Sequence, residues 1–254
     1  QPGSRFERLQ TQQTKELDDQ FTVEAVVNLD RLYPDASVNT LLSRWNGNSQ
    51  SDGWSIGVTS TKSAYEPNNF LVQLVGRTFQ DEPVYEVVAS GLRFPLNKPV
   101  YIAAAVSAST SNENPTGGSV TFYMQDLSDP NAELQTTTVA TAVVSHIQNP
   151  ASKIIVGGRD ARGHLWDGQL ARLTVSRGAL SREQLLIGKE AGQTEQVLDW
   201  TFHDDCKGEQ PAPQTAWLRQ NASNGSSPID PQRLNAVTDL CHALFNANEF
   251  LYLH

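Results

Sequence analysis

The chain has 254 residues, a net charge of −9 and a pI near 5.0, and this acidic balance argues against nucleic acid or an anionic membrane as its main partner. Hydrophobic residues make up 38% and charged residues 19%, a globular mix that can bury a substantial core. No apolar run approaches the ~18 residues of a membrane span. The chain begins Gln1-Pro2-Gly3-Ser4 without an initiator Met, so we expect a processed piece of a longer protein.

From Phe21 onward the sequence alternates apolar and polar residues with a period of two. FTVEAVVNL shows the pattern first, and in GWSIGVTS the residues Trp54, Ile56 and Val58 share one face. It recurs in NFLVQLV, VYEVVAS, VYIAAAVS, SVTFYMQD, KIIVGG, LARLTVS and QVLDWTF. Clusters of Asn, Gly, Pro and Asp separate these runs. Roughly ten or more such strands predict an all-β fold, a two-sheet antiparallel sandwich of jelly-roll type.

Residues 156–175, VGGRDARGHLWDGQLARLTV, combine glycines, arginines, a histidine and a tryptophan. A phosphate cradle would need a helix after the glycines, but QLARLTVS alternates as a strand and no GKS or GKT follows. The stretch is therefore predicted to be the turn of a β-hairpin. Arg159 and His164 would lie on its exposed turn, and Trp166 would re-enter the core before Gly168 starts the next strand.

A short helix is predicted after this hairpin. Ser181 can cap it, Gln184 completes a capping box, and Leu185 and Leu186 face inward. We assign residues 1–203 to the β-sandwich.

Beyond residue 203 the composition changes. Residues 204–229 are polar and rich in Pro, Gly and Ser, which predicts a linker or a covering loop. Asp230 as N-cap and Pro231 at the first helical position predict a helix over 230–248, and residues 230–254 are expected to dock on the sandwich or on a partner. The two cysteines, Cys206 and Cys241, either form one disulfide or stay as unpaired thiols.

The run IIVGGRDARGHLWDGQLARLTVSRGALSREQL resembles the closing strands and helix of laminin-G-like domains in the concanavalin A-like lectin/glucanase superfamily. The residues at matching positions are Trp166, Gly168, Leu170, Leu173, Val175, Ala179, Leu180 and Ser181. FTVEAVVNL resembles the family's early strand F-T-x-E-A-W-V, with Val26 in place of the Trp. The family often has an Asp where this chain has Ala171, and a role of that carboxylate does not carry over.

This resemblance implies a jelly-roll sandwich that acts as a non-catalytic binding module for a glycan or a protein. It also implies an extracytoplasmic location, secreted or periplasm-like, within a bacterial multidomain protein. No nucleic acid and no membrane span are expected.

The C-terminal tail carries a second resemblance. DLCHALFNANEFLYLH looks like the end of large planctomycete proteins of unknown function that combine a haem-c-type cytochrome domain with other domains. The haem motif C-x-x-C-H is absent, so Cys241-His242 is not expected to attach a haem. The resemblance implies an alternative function, a structural or assembly domain that packs with other domains of a cytochrome-associated parent protein.

The same superfamily includes retaining glycoside hydrolases, which need two suitably spaced carboxylates. The nearest pattern here is ELDDQF at residues 16–21, in which Gln20 or Phe21 stands where the acid/base Glu should be. No G-x-S-x-G nucleophile motif is present either. We therefore predict no catalytic residues, and a glucanase is the least favoured of the three functions.

Aromatic faces beside polar side chains are typical of sugar-binding sandwiches. The candidate ligand-binding residues, which lie at or near junctions of loops and strands, are Arg44, Trp45, Trp54, Arg159, Asp160, His164 and Trp166. The alternation of their strands also allows Trp54 and Trp166 to lie in the core instead.

Calcium is the one cofactor for which the loops offer candidates, since it prefers carboxylate and amide oxygens. The first group is Asp126, Asp129 and Asn131, and a second is Asn46, Asn48 and Asp52. Neither matches a fixed loop motif, and the same residue types are common in turns that bind no metal. The five histidines show no metal-binding spacing.

Overall fold

The computed structural model describes residues 9–11, 16–111, 115–159, 163–188, 194–202, 224–225 and 251–253, of which the first and the last two ranges are described as backbone only. The predicted helix at 230–248, both cysteines and Asp160 lie outside the described residues, as does most of the predicted linker.

Fourteen strands form in the described part of the chain. They are β1 (Leu9–Thr11), β2 (Gln20–Leu29), β3 (Val38–Arg44), β4 (Gly53–Thr59), β5 (Asn69–Arg77), β6 (Pro83–Arg93), β7 (Val100–Ser107), β8 (Gly118–Asp126), β9 (Gln135–Thr141), β10 (Ile154–Val156), β11 (Gly168–Arg177), β12 (Gln196–Phe202), β13 (Asn224–Gly225) and β14 (Leu251–Leu253). No helix among the described residues has the length and apolar character needed to cross a membrane.

The strands form two antiparallel sheets. The six-stranded sheet has the order β1-β10-β3-β4-β5-β6 within the described residues. The eight-stranded sheet has the order β13-β12-β11-β2-β7-β8-β9, and β14 also pairs with β11. Consecutive strands often pair, as in β3-β4-β5-β6 and β7-β8-β9, because antiparallel neighbours need only short connections. The predicted all-β, two-sheet antiparallel architecture is confirmed.

The core lies between the two sheets, where the apolar residues of each alternating strand face inward. Aromatic rings from opposite sheets meet there. Phe21 of β2 packs on Trp54 of β4 with ring centroids 4.6 Å apart, and Phe70 of β5 meets Phe122 of β8 edge-on at 5.2 Å. Such pairs contribute about 0.5–1.5 kcal/mol each beyond their buried area. This packing leaves the outer face of each sheet free for other residues to cover.

The glycine-rich stretch is not a hairpin, and this corrects the prediction made from the sequence. β10 pairs with β1 and β3 in the six-stranded sheet, whereas β11 pairs with β2, β12 and β14 in the other sheet. Residues 157–167 therefore connect the two sheets. The backbone N–H of Trp166 still donates to the carbonyl of Gly157 at 3.2 Å, so the two ends of this connection lie close together. Local periodicity identified both strands but carried no information on which sheet each one joins.

The predicted short helix after β11 is a pair of turns in the structure. Gln184 N donates to the carbonyl of Ser181 at 3.0 Å, and its side-chain Oε1 accepts from Ser181 N, so half of the predicted capping box is present. A helix would direct Leu186 N back to the carbonyl four residues earlier. Instead Leu186 N donates to the buried carboxylate of Glu24 at 2.7 Å. This tertiary contact takes the backbone donor that would have continued the helix.

Candidate functional site

Three of the predicted ligand-binding residues come together on the outer face of the six-stranded sheet. Trp45 follows β3, and Arg159 and His164 belong to the connection between the sheets. Four further residues join them: Thr40 of β3, Ser55 of β4, Gln73 of β5 and Tyr85 of β6. We call these seven residues the outer-face cluster.

Arg159 lies at the centre of the outer-face cluster and is only 4% exposed, which corrects the prediction of an exposed turn residue. Its Nε donates to Thr40 Oγ1 at 3.0 Å, and its Nη2 donates to Gln73 Oε1. The guanidinium carbon lies 5.0 Å from the centroid of the Trp45 ring, within the range of a cation–π contact. Burial lowers the pKa of Arg159 to about 10, against the opposing effect of Tyr85, so the side chain stays charged at neutral pH.

Trp45 and Tyr85 form a stacked pair with ring centroids 5.7 Å apart and an interplanar angle of 24°. Trp45 is buried and donates its indole N–H to the carbonyl of Asn48 at 2.8 Å. Gly53 leaves room for this ring, since a Cβ at that position would lie 2.8 Å from Trp45 Cδ1. Tyr85, by contrast, is 41% exposed. The pair therefore consists of a fixed inner ring and an outer ring that solvent reaches.

Gln73 connects Arg159 with Tyr85. Its Oε1 accepts from Arg159 and also from Ser55 Oγ at 3.0 Å, while its Nε2 donates to Tyr85 Oη at 2.5 Å. The side chain is almost fully buried, and a buried amide is stable only when its polar atoms are paired. The hydrogen bonds thus run without interruption from the buried guanidinium to the exposed phenol.

His164 lies beside Arg159 in a left-handed backbone conformation with φ of 57°. Its carbonyl accepts from Thr40 N at 3.1 Å, which ties the connection between the sheets to β3. Burial, and then the positive charge of Arg159, lower the pKa of His164 to about 4, although a hydrogen bond with the backbone of Val38 opposes them. The imidazole is therefore neutral at neutral pH.

The other candidates lie elsewhere. Trp54 and Trp166 are buried in the core, at 0% and 1% exposed, and Trp166 meets Phe94 edge-on at 5.9 Å. Neither ring can present a face to a sugar, so the core alternative applies to both.

Arg44 is buried too, and its guanidinium donates to Ser152 O at 3.3 Å and to Gln148 Oε1 at 3.4 Å. Asp160 lies outside the described residues.

The loop considered for calcium uses its carboxylates in local contacts. Asp126 accepts from Lys98 Nζ at 2.8 Å and from the backbone of Ser128 at 2.9 Å. Burial acts to raise the pKa of Asp126, but these hydrogen bonds outweigh it and hold the pKa below its usual value. Asp129 Oδ1 accepts from Asn131 N at 2.9 Å, as in an Asx turn. Among the described residues, no three His, Cys, Asp or Glu side chains gather as metal ligands, and calcium at this loop stays a prediction.

The carboxylates nearest to the glucanase pattern also have structural partners. Asp19 accepts from the backbone N–H groups of His146 and Ile147 at 2.9 and 3.1 Å. Asp18 accepts from Arg177 Nη1 at 3.2 Å. These contacts connect the residues at the start of β2 to neighbouring segments, so both carboxylates have structural hydrogen-bond partners.

A second buried polar group, which the sequence did not reveal, lies on the outer face of the eight-stranded sheet. Glu24 Oε2 accepts from Tyr101 Oη at 2.5 Å and from Leu186 N at 2.7 Å. Burial raises the pKa of Glu24 to about 7, although these hydrogen bonds and the charge of Arg172 act to lower it. Arg172 itself pairs with Asp199, both carboxylate oxygens lying 3.1 Å from Nη2. The hydrogen bond from Leu186 N to Glu24 attaches residues 180–188 to the outer face of the eight-stranded sheet.

Gln73 and Tyr85 are the functional candidates that sequence reasoning missed. Gln73 is the single polar side chain inside the apolar run FLVQLV at residues 70–75, and Tyr85 precedes Glu86 in VYEVVAS. A lone polar residue in an apolar strand marks a position where that strand meets a polar partner, because burying an unpaired amide is costly. That signal was present, but it does not name the partner.

Comparisons with known proteins give no assignment by sequence: no family model and no curated protein matches the chain. Solved structures with some similarity include the CBM40 of the Ruminococcus gnavus IT-sialidase bound to α2,3 sialyllactose, at 16% identity and a TM-score of 0.46, covering 66% of this chain and 81% of that one.

Two further structures are similar at the same level. One is the native heptameric SAP-like pentraxin from Limulus polyphemus, at 14% identity and a TM-score of 0.44, covering 89% of each chain. The other is the LG1-3 region of the laminin α2 chain, at 11% identity and a TM-score of 0.42, covering 80% of this chain and 36% of that one. TM-scores below 0.5 do not establish a common fold, so the architecture rests on this chain's own strand pairing.

Proposed function

We propose that this domain is a non-catalytic, extracytoplasmic binding module that recognises a glycan at the outer-face cluster. The observation that carries the proposal is Tyr85, an exposed ring held in one orientation on a strand. Its ring stacks on buried Trp45, and its hydroxyl receives a hydrogen bond from buried Gln73. Sugar rings have an apolar C–H face that packs on an aromatic ring, and polar side chains beside the ring bind the hydroxyl groups.

The way in which Tyr85 is held favours binding over a merely exposed ring. A flexible side chain loses about 0.5–1.5 kcal/mol when a ligand immobilises it. The stack with Trp45 and the hydrogen bond from Gln73 already restrict both side-chain torsions of Tyr85 in the free protein. Much of that cost is therefore met when the domain folds rather than when it binds.

A second function, a structural or assembly domain within a larger protein, is favoured by one other observation. Phe79, in the turn between β5 and β6, is 56% exposed, more than any other large hydrophobic residue among those described. Exposed aromatic side chains are frequent anchors of protein interfaces. On this alternative, the turn at residues 78–82 would pack against a neighbouring domain.

A glycan array with the purified domain tests the proposed function. We expect specific signals for wild type that Tyr85→Ala abolishes, because truncation removes the ring on which the sugar stacks. Tyr65→Ala is the matched control, since Tyr65 is equally exposed at 43% but lies in the loop between β4 and β5. Unaltered signals in Tyr85→Ala, or equal losses in both variants, would contradict a glycan site at the outer-face cluster.

A further inference from the structure

We infer that the hydroxyl of Tyr85 is fixed as a hydrogen-bond donor toward the ligand, so that the bound sugar must present an acceptor oxygen beside its stacked face. This inference rests on the proposed function, and it specifies the chemistry of the glycan at that site. It follows from the direction of each hydrogen bond between Arg159 and Tyr85.

The direction is set at the buried end, by Arg159. A guanidinium carries only donors. The atom of Gln73 that faces Arg159 Nη2 must therefore be the carbonyl oxygen Oε1. Ser55 Oγ lies 3.0 Å from that same oxygen and can donate to it as well. Arg159 thus determines which way the amide of Gln73 points.

The orientation of Gln73 then determines the role of Tyr85. With Oε1 turned to Arg159, the NH₂ group of Gln73 faces Tyr85 Oη at 2.5 Å. An amide NH₂ can only donate, so the phenol oxygen accepts this bond. The O–H of Tyr85 cannot point back at Gln73 and must be directed elsewhere. Since Tyr85 is 41% exposed, solvent or a ligand can reach this side chain and accept the proton.

The consequence is a preference among sugars. A ring oxygen or a hydroxyl oxygen at the edge of the stacked sugar accepts from Tyr85, whereas an ammonium group there cannot. Replacing the contacting sugar hydroxyl by hydrogen removes the acceptor. Replacing it by O-methyl keeps the acceptor and removes only the sugar's own donor. The site should therefore tolerate O-methylation at one position where it rejects deoxygenation.

Gln73→Glu reverses the polarity with almost no change in shape. A carboxylate accepts from Arg159, from Ser55 and from the Tyr85 O–H at once, so the phenol proton turns inward. Tyr85→Phe removes the hydroxyl and keeps the stacking ring, and it serves as the matched comparison. If both variants act through the same hydrogen bond, the double variant should lose no more than either one.

The first measurement needs no ligand. The Raman doublet of tyrosine changes its intensity ratio when the hydroxyl becomes a strong donor, and the difference between wild type and Tyr85→Phe isolates the signal of Tyr85. We expect the Tyr85 signal in Gln73→Glu to shift toward that of a strong donor, with unchanged circular dichroism showing that the variant folds. A Tyr85 signal identical in wild type and Gln73→Glu would overturn the inference.

The second measurement uses methyl β-D-galactopyranoside and its singly deoxygenated and singly O-methylated analogues as probes in saturation-transfer NMR. We expect Gln73→Glu and Tyr85→Phe each to weaken probe binding about tenfold, the size of one net hydrogen bond, and the double variant to match them. Additive losses would overturn the inference. Absence of binding by wild type to this probe and to every glycan on the array would overturn the proposed function, while the Raman result alone would still decide the polarity of Tyr85.

Discussion

Arg159 shows at the residue scale how much a single buried side chain holds in place. It bonds to Thr40 and Gln73 and lies over the ring of Trp45, so it connects β3, β5 and the segment after β10. Loss of a buried donor leaves its acceptors without a partner, and that penalty exceeds the net value of the hydrogen bond itself. The stability of the outer-face cluster should therefore depend strongly on this one residue.

We expect Arg159→Ala to lower the free energy of unfolding by about 2–4 kcal/mol, because it removes the hydrogen bonds to buried Thr40 and Gln73 and opens space beside Trp45. Urea denaturation followed by tryptophan fluorescence measures the change. Arg93→Ala is the control, since Arg93 is exposed at the end of β6 and should cost less than about 0.5 kcal/mol. Equal effects of the two substitutions would contradict the buried role of Arg159.

The raised pKa of Glu24 predicts how the free energy of unfolding depends on pH. Its pKa is about 7 in the folded protein against an ordinary value of 4.5, so the folded state keeps this proton over a range in which the unfolded state has lost it. The stabilisation from this group is complete below about pH 4.5 and is lost as the pH rises through about 7. We expect the unfolding free energy to fall by roughly 3 kcal/mol over that range, and Glu24→Gln to remove most of this fall.

The lowered pKa of His164 makes the free energy of unfolding depend on pH in the opposite direction. Its pKa is lowered from 6.5 to about 4, so between these pH values the unfolded state binds a proton that the folded state does not bind. Stability from this group is present above about pH 6.5 and is lost as the pH falls toward 4. Urea titrations of wild type, Glu24→Gln and His164→Asn at several pH values separate the two groups. A pH profile of wild type that neither substitution changes would contradict both assignments.

At the scale of elements, the connection between the sheets depends on Trp166. This connection links β10 of the six-stranded sheet to β11 of the eight-stranded sheet. The side chain of Trp166 packs in the core against Phe94. We expect Trp166→Ala to cost about 3–5 kcal/mol of unfolding free energy, through the cavity that it leaves. Thermal melts measure this, with the half-exposed Tyr65→Ala as control. A melting temperature unchanged by Trp166→Ala would mean that this ring is not part of the core.

The strands themselves were largely readable from alternation, but their neighbours were not. β3 and β9 escaped notice, since VNTLLSR is continuously buried and QTTTVAT is almost wholly polar, and neither run shows the apolar–polar alternation of a half-buried strand. The turns at residues 181–188 were predicted as a helix because the capping signals are local, whereas the competing acceptor, Glu24, is 162 residues away from Leu186. A local capping signal carries no information about an acceptor so far away in the chain.

For the whole molecule, the nearest approach to a glucanase pattern lies at the entry to β2. There Asp18 and Asp19 bind Arg177 and backbone N–H groups, and Gln20 begins the strand where an acid/base Glu would be needed. We expect no hydrolysis of laminarin, measured by the release of reducing sugar. Turnover that Glu16→Gln abolishes would show that the domain is an enzyme after all.

The sequence by itself determined the class of the fold, because a period-two pattern assigns each strand a buried and an exposed face without knowledge of its partners. It also placed Trp45, Arg159 and His164 among the candidate ligand-binding residues, and these three lie close together in the structure. Only the tertiary structure decided that Arg159 is buried and that Gln73 and Tyr85 belong with it, since Arg159 and Gln73 lie 86 residues apart. Their meeting depends on which sheet β10 and β11 join. That choice is made by long-range strand pairing and shared burial, and local patterning does not encode it.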